Sequence, residues 1–278
     1  MTFPVKVIED SIASNGKRLT TLQLSYPRFI HAEFMTHRVF SRNASSSRAI
    51  PVAKMIEQVR NNPAMPIHWG KNQPGMQANE QLTGDELRQA KEAWMTAAQL
   101  AATQASILNS IGAHKQVANR ILEPFQFIHV IVTASEWDNF FSLRAHPDAQ
   151  PEIQALAVEM RRQMLMSCPV KRACDRQNAY GWHLPYVTRD ERVAYNDTPE
   201  FLAKLSAARC ARVSYLNHDG TTPSIEKDLE LYDRLVGMRP LHASPIEHQA
   251  YPLPKADQRS NNFVGWRQYR ELVEHSFN

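Results

Sequence analysis

Residues 35–50, MTHRVFSRNASSSRAI, carry one His, three Arg (Arg38, Arg42, Arg48), one Asn and four Ser, and no acid. A run so polar and cationic cannot form a packed core. Short hydroxyl and amide donors on a tight backbone, with guanidinium groups reaching across them, make a socket for an anion, and phosphate suits that chemistry best. The plainer alternative is a solvated basic loop. Against it stands the run just before, PRFIHAEFM (27–35), which reads as a buried strand delivering the loop to a fixed place.

The 278-residue chain is long enough for one large domain or two small ones, and its 43% hydrophobic and 22% charged content is that of an ordinary globular protein. A net charge of +4 suits a small anionic substrate and is mild for a nucleic-acid-binding domain. Cys168, Cys174 and Cys210 are odd in number and form no CxxC pair, so reduced thiols in the cytoplasm are expected, with neither a disulfide frame nor a zinc site. No apolar run approaches the ~18 residues of a membrane span, and the amino terminus lacks a signal-peptide pattern.

Residues 5–9 and 18–34 read as strands, with Ser14, Asn15 and Gly16 as the turn between them. Residues 61–84, rich in Pro, Gly, Asn and Gln, form a long surface loop of the kind that is often functional. Thr83 and Glu86 have capping-box spacing. Leu87, Trp94, Ala98, Ala101, Ala105 and Leu108 then mark a long amphipathic helix that stops near Gly112.

HKQVANRILEP is a further helical piece ending at Pro124. A buried segment follows, then a helix carrying Trp137, Phe140, Phe141 and Arg144. Ile153, Leu156, Ala157, Met160 and Met164 mark another helix, closed by Pro169. Residues 169–200 are mixed and turn-rich and make the best junction in the chain. ARCARVSYLNHDG enters a loop. Thr222 and Pro223 look like the cap and first position of a helix bearing Ile225, Leu229, Tyr232 and Leu235, and a short basic-aromatic helix ends the chain.

PRFIHAEFMTHRVFSRNASSSRA resembles the signature of the flavin-dependent thymidylate synthases, an Arg-His-Arg triplet, seven residues, then Ser. His37-Arg38, seven residues and Ser46 fit, while Thr36 replaces the first Arg, and Ala44 and Ala49 replace the usual Glu and Tyr. The resemblance places Arg48 on a phosphate-binding Arg, and His37, Arg38 and Val39 on the flavin side. IGAHKQVANRILEP resembles the family's Gly…Ala-Arg-x-x-Leu-Pro helix, which puts Arg120 on a second phosphate contact.

TASEWDNFFSLR resembles the family's Asn-x-Arg…Asn-Phe…Leu-Arg helix. It implies a flavin contact at Asn139 and a pyrimidine contact at Arg144, while Thr133 and Ser135 stand where the family has two further flavin contacts. CARVSY and HASPIEH resemble two more segments and imply flavin-side roles for Ser214, Ser244 and Glu247, with His242 beside flavin and folate.

In the family these last two segments precede the Arg-His-Arg signature. Here they follow it by more than 160 residues. A circular permutation accounts for the order, with the family's old ends joined through residues 169–205. It predicts that CARVSY and HASPIEH lie against the 36–48 stretch. The implied fold is α/β, one domain with a mixed or antiparallel sheet packed by long helices. Residues 1–168 would hold the nucleotide signature, 169–205 the junction and 206–278 the flavin-side segments.

The residue chemistry agrees with that reading. Arg48 and Arg120 with Ser45, Ser46 and Ser47 could cradle a nucleotide phosphate. Arg144 beside a pyrimidine carbonyl would favour negative charge on the ring as C5 becomes nucleophilic, and a reduced flavin would supply hydride. No Cys stands out as a nucleophile, since Cys210 replaces a family Ala.

Other readings are weaker. Ser46 with His37 lacks a group to orient the His as a base, His242 and His248 lack a third metal ligand, and Glu247 alone could be a loop acid. Trp266 and Tyr269 could stack on a ligand but suit a docking helix better.

The resemblance thus implies FAD, NADPH and methylenetetrahydrofolate as cofactors, dUMP as substrate and dTMP as product. It also implies a homotetramer with flavin sites at subunit contacts. A sister chemistry, acting on dCMP or giving a hydroxymethyl pyrimidine, is motivated by Glu33, Thr36, Ala44 and Ala49, all beside the nucleotide positions. Nucleic-acid binding through the Ser/Arg loop is the alternative outside this family.

Overall fold

A computed structural model describes residues 2–213, 216, 217 and 220–276. Its centre is a mixed five-stranded sheet. β1 (Val5–Ala13) turns through Ser14–Gly16, with Gly16 at φ 88°, into β2 (Arg18–Pro27), and the two pair antiparallel. The order across the sheet is β3 (Ser41–Ala44), β4 (Phe127–Ala134), β2, β1, β5 (Val170–Arg172); only β5 runs parallel to its neighbour.

Alternation along β2 and β4 divides the sheet into two buried faces. Leu22, Leu24, Tyr26, Ile128, Val130 and Val132 face a core with α5 (Asp138–Arg144) and α6 (Pro151–Met166). The opposite face carries Leu19, Thr21, Ile131 and Thr133. There Ile131 packs on Cys210 and Val213 at the end of α8 (Pro199–Ala211), and Leu19 on Trp266 and Phe263.

α8 belongs to a second core with α9 (Ile225–Val236) and α10 (Tyr269–His275), built on Trp182, Leu202, Leu205, Tyr232 and Ile246. α7 (Arg189–Ala194) precedes α8, and two pairs of short strands lie outside the central sheet: β6 (Ala250–Pro252) pairs with β9 (Trp266–Gln268), and β7 (Arg259–Ser260) with β8 (Phe263–Val264).

A third core joins α2 (Val52–Asn61), α3 (Gly84–Ser110) and α4 (Lys115–Ala118), where Ala98, Ala102 and Ala105 let α3 approach Val52, Ile56 and Val59 closely. Among the described residues no helix is long and apolar enough to cross a membrane.

Several local expectations change. The strand expected over 18–34 ends at Pro27, which pairs with Phe127 at the start of β4, so no ladder partner continues beyond it. Residues Arg28–Ile30 form a 3-10 turn and α1 (His31–Phe34) follows; the buried residues Ile30 and Phe34 are four apart, a helical spacing. The 36–50 stretch is not wholly loop: Ser41–Ala44 forms the edge strand, and its short polar side chains Ser41 and Asn43 are buried.

Thr83 caps α3 by backbone geometry, without the side-chain bond of a capping box. That box forms at Thr188 and Glu191, ahead of α7. Ser224, rather than Thr222, caps α9, its hydroxyl accepting from the Lys227 amide at 3.4 Å. The 169–205 junction contributes β5 to the sheet and also contains α7 and the first half of α8.

A chain of buried side chains ties the second core to the sheet. Arg172 Nε donates to Ser11 Oγ at 3.3 Å, Ser11 Oγ lies 2.9 Å from His183 Nδ1, and His183 Nε2 lies 2.7 Å from Thr21 Oγ1. Thr21 Oγ1 is 2.7 Å from Thr133 Oγ1, which is 2.8 Å from His248 Nδ1. Arg172 can only donate to Ser11, and the two buried imidazoles further along are neutral, each with a ring nitrogen turned to a threonine hydroxyl. Burial pushes the His248 pKa down to about 3 and holds His183 well below its ordinary value.

An unfolded chain takes up protons on both groups below about pH 6.5, while the folded chain does not. Their contribution to stability is therefore full above that pH and lost as pH falls toward the folded values. Urea unfolding at pH 7.5 and 5.5 should differ by about 3 kcal/mol from these two histidines together. Equal stability at the two pH values would show that the chain does not hold neutral imidazoles.

Candidate active site

The site lies where the edge strand β3 meets the turn Ser244–Glu247. Asn43 is buried between them. Its Nδ2 donates to the Cys210 carbonyl at 2.9 Å and its Oδ1 accepts from Ser244 Oγ at 2.7 Å. Gln268 Nε2 donates to Ser41 Oγ at 3.1 Å and to the Glu247 carbonyl at 3.0 Å, while Asn262 Nδ2 donates to the Val39 carbonyl at 3.0 Å. Cys210 of CARVSY and Ser244 of HASPIEH thus lie against Asn43 of the 36–48 stretch. Ser214 lies outside the described residues.

Arg144 lies in the last turn of α5. Its Nε donates to His37 Nε2 at 3.0 Å, and its guanidinium pairs with Glu33. His37 is buried edge-on against Phe140, with ring centroids 4.9 Å apart. Burial, together with the charges of Arg144 and Arg42, lowers its pKa. His37 therefore serves Arg144 as a neutral acceptor, with its proton on Nδ1.

Arg42 is not directed outward. Its NH1 donates to the carbonyls of Met35 at 2.8 Å and His37 at 3.2 Å, pinning the bend before β3. A cavity of about 710 Å³ opens beside the Glu33–Arg144 pair, lined also by His68, Gln77, Asn79 and Gln154. The long 61–84 loop supplies one wall of it.

The basic cluster is more occupied than its sequence suggests. Ser45 continues the sheet, its amide donating to the His129 carbonyl at 2.8 Å and its Oγ accepting from the His129 amide at 3.1 Å. Ser46 is exposed and accepts from the Arg48 amide at 3.3 Å. Ser47 Oγ donates to Glu123 Oε1 at 3.1 Å, and Arg120 NH1 reaches the same oxygen at 3.1 Å. Arg48 is exposed, with no side-chain partner among the described residues.

Asn119 Nδ2 fixes the loop by donating to the carbonyls of Ser47 at 2.7 Å and Ile50 at 3.0 Å. Sequence reasoning missed Asn119, Glu123 and Arg28. The available signal was an acid, Glu123, three residues after a phosphate-type Arg120.

Arg38, Val39, Asn139 and His242 are exposed, and Glu247 is held by Arg270 at 2.6 Å. His242 Nε2 lies 3.4 Å from Ser244 Oγ. Thr133 belongs to the buried chain, and Ser135 Oγ accepts from the Val264 amide at 2.9 Å. Neither hydroxyl is turned to a ligand. The cavity beside the Glu33–Arg144 pair can therefore hold a hydrogen-bonding ligand against the Arg144 guanidinium.

The family model of the thymidylate synthase complementing protein, Thy1, matches residues 19–170. Among solved structures the chain is similar to the UMP/dUMP methylase PolB from Streptomyces cacaoi. The form bound with 5-Br UMP shows 18% identity and a TM-score of 0.47, covering 58% of this chain and 87% of that one. The form bound with 5-Br dUMP shows 18% identity and a TM-score of 0.49, covering 58% and 88%. Comparison with curated proteins finds no match. With more than half of the chain matched, including Glu33, His37, Arg120 and Arg144, this protein belongs to the thymidylate synthase complementing protein family, the flavin-dependent thymidylate synthases, and is an enzyme of it.

Proposed function

We propose that this enzyme transfers a one-carbon unit from methylenetetrahydrofolate to C5 of dUMP, giving dTMP, with FAD and NADPH. The observation that carries the reading is Arg144, oriented by Glu33 and His37 on the wall of a 710 Å³ cavity. A guanidinium held this way is a preorganised cation for a pyrimidine carbonyl that gains negative charge as C5 turns nucleophilic. Arg144 and His242 are the catalytic residues. Arg48 and Arg120 take the nucleotide phosphate, with Ser45, Ser46 and Ser47 shaping the loop around it. Glu33 accepts from the ring N–H.

The exposed donor set suits an anionic dinucleotide. Arg38 is an exposed cation without a described side-chain partner, Asn139 and His242 are exposed, and Ser244 and Glu247 are half-buried. His37, Arg38, Val39, Asn139, Ser214, Ser244 and Glu247 would hold FAD, and the flavin, once reduced, supplies the hydride. Thr133 and Ser135 take no part in holding it.

Met35, Val39 and Leu143 are 42%, 42% and 53% exposed in the same blocks, apolar surface that supports a homotetramer with the flavin site at a subunit contact. The contact of Ser244 with Asn43 on β3 supports a circularly permuted single domain, and its three free cysteines suit work in the cytoplasm.

Glu33 favours one second reading. Its carboxylate could accept from a cytosine amino group, so dCMP, or a hydroxymethyl product, belongs to the same site. Nucleic-acid binding is disfavoured, because Arg28, Arg42, Arg120 and Arg144 already answer to acids or carbonyls of this chain.

Purified protein given FAD should become yellow, and anaerobic NADPH should bleach it. A protein that takes up no flavin removes this function. Arg144→Ala should take up FAD normally while losing turnover of dUMP by about 10²–10³-fold. In product analysis, Glu33→Gln should preserve dUMP turnover within about tenfold; strong turnover of dCMP by the wild type, lost in this variant, would transfer the assignment to the second reading.

A further inference from the structure

Glu123 Oε1 accepts from Arg28 NH2 at 3.0 Å, Arg120 NH1 at 3.1 Å and Ser47 Oγ at 3.1 Å. Three donors from three separate segments converging on one oxygen is the arrangement that holds an oxyanion. Here the oxyanion belongs to the chain itself. The pair with Arg28 is well covered, with side chains 20% and 22% exposed, whereas the Arg120 side chain is 57% exposed and faces outward.

We infer that Glu123 is an internal competitor for the phosphate of the substrate and sets how tightly this enzyme binds it. The inference rests on the proposed nucleotide site for its ligand, but its electrostatics do not. Arg28, Arg48, Arg120 and Lys115, whose ammonium lies 3.4 Å from the Ala49 carbonyl, surround the Ser45–Ser47 turn and attract an anion. Glu123 turns part of that donor set inward. With the Ser47 proton and one arm of each of two guanidiniums engaged, a phosphate must either displace the carboxylate or bind beside its charge.

The position itself is informative. In the Ala-Arg-x-x-Leu-Pro pattern that 119–124 resembles, Glu123 stands in the place of the Leu, an acid where the pattern has an apolar side chain. A like charge within about 4–6 Å in a half-exposed site is worth about tenfold in affinity.

The test is calorimetric binding of inorganic phosphate, dUMP and deoxyuridine to the folded wild type, Glu123→Gln and Glu123→Asp. Glu123→Gln should bind phosphate and dUMP about tenfold more tightly and deoxyuridine unchanged, and Arg120→Ala added to it should abolish the gain. Glu123→Asp, which retains the charge, should show no comparable gain and serves as the control for disturbed packing. Equal or weaker phosphate binding by Glu123→Gln would overturn the inference, leaving Glu123 as a tether for its arginines. A phosphate gain without dUMP binding by any variant would uphold it while removing the nucleotide reading of the site.

Discussion

The buried amide of Asn43 is the contact on which the site depends. It joins residues 167 and 201 positions away, the Cys210 carbonyl on one side and the Ser244 hydroxyl on the other. A buried amide left half-satisfied costs about 1–3 kcal/mol, so the edge strand, the end of α8 and the Ser244–Glu247 turn are stable only in one mutual placement. The backbone of β3 is fixed in turn by β4, which presents Thr133 opposite Ser41 and Ile131 opposite Asn43. Edge strands are otherwise free to pair with other chains. Here the outer side of β3 is covered by side chains from Gln268 and Asn262 as well as by the turn.

A second constraint is electrostatic. The first half of the chain concentrates arginines around one loop, and each that points inward meets an acid or a row of carbonyls: Glu33 on Arg144, Glu123 on Arg28 and Arg120, main-chain carbonyls on Arg42. Without those partners, mutual repulsion among the cations and the desolvation of half-covered guanidiniums would oppose folding. The same pairs orient the guanidiniums before a ligand arrives, which lowers the ordering cost of binding. Arg38 and Arg48 are exposed, with no side-chain partner among the described residues, and they lie at opposite ends of the MTHRVFSRNASSSRA stretch.

What could be read from the sequence was what had a period or a motif. α3, α5 and α6 show their buried stripes, and the two β-rich runs give the middle of the sheet. α8 could not be read, because it is buried nearly all round, from Leu202 to Cys210, and so has no polar face to set a period. β5 is three residues long, below any pattern. Arg28–Phe34 alternates like a strand in composition yet winds into turns, since β4 begins only at Phe127 and offers no partner. In the site, residue types were legible and their partners were not. Nothing local in ASSSRA shows that Ser45 serves the sheet, that Ser47 faces an acid, or that Arg28 joins Arg120 on it.

The two faces of the sheet explain why these distant segments form one site. One face seats α5 and α6, and α5 ends on Arg144 at the edge of β3. The other face seats the end of α8, while the polar chain from Ser11 to His248 holds the Ser244–Glu247 turn beside the same strand. An edge strand with both flanks occupied is the place where side chains from the two layers can meet without crossing the sheet. β3 is only four residues long, and the chain leaves the sheet before it through His37, which meets Arg144, and after Ser45 through Ser47, which meets Glu123. The shortness of that strand places the Glu33–Arg144 pair and the Arg28–Glu123–Arg120 cluster at the two ends of one short segment.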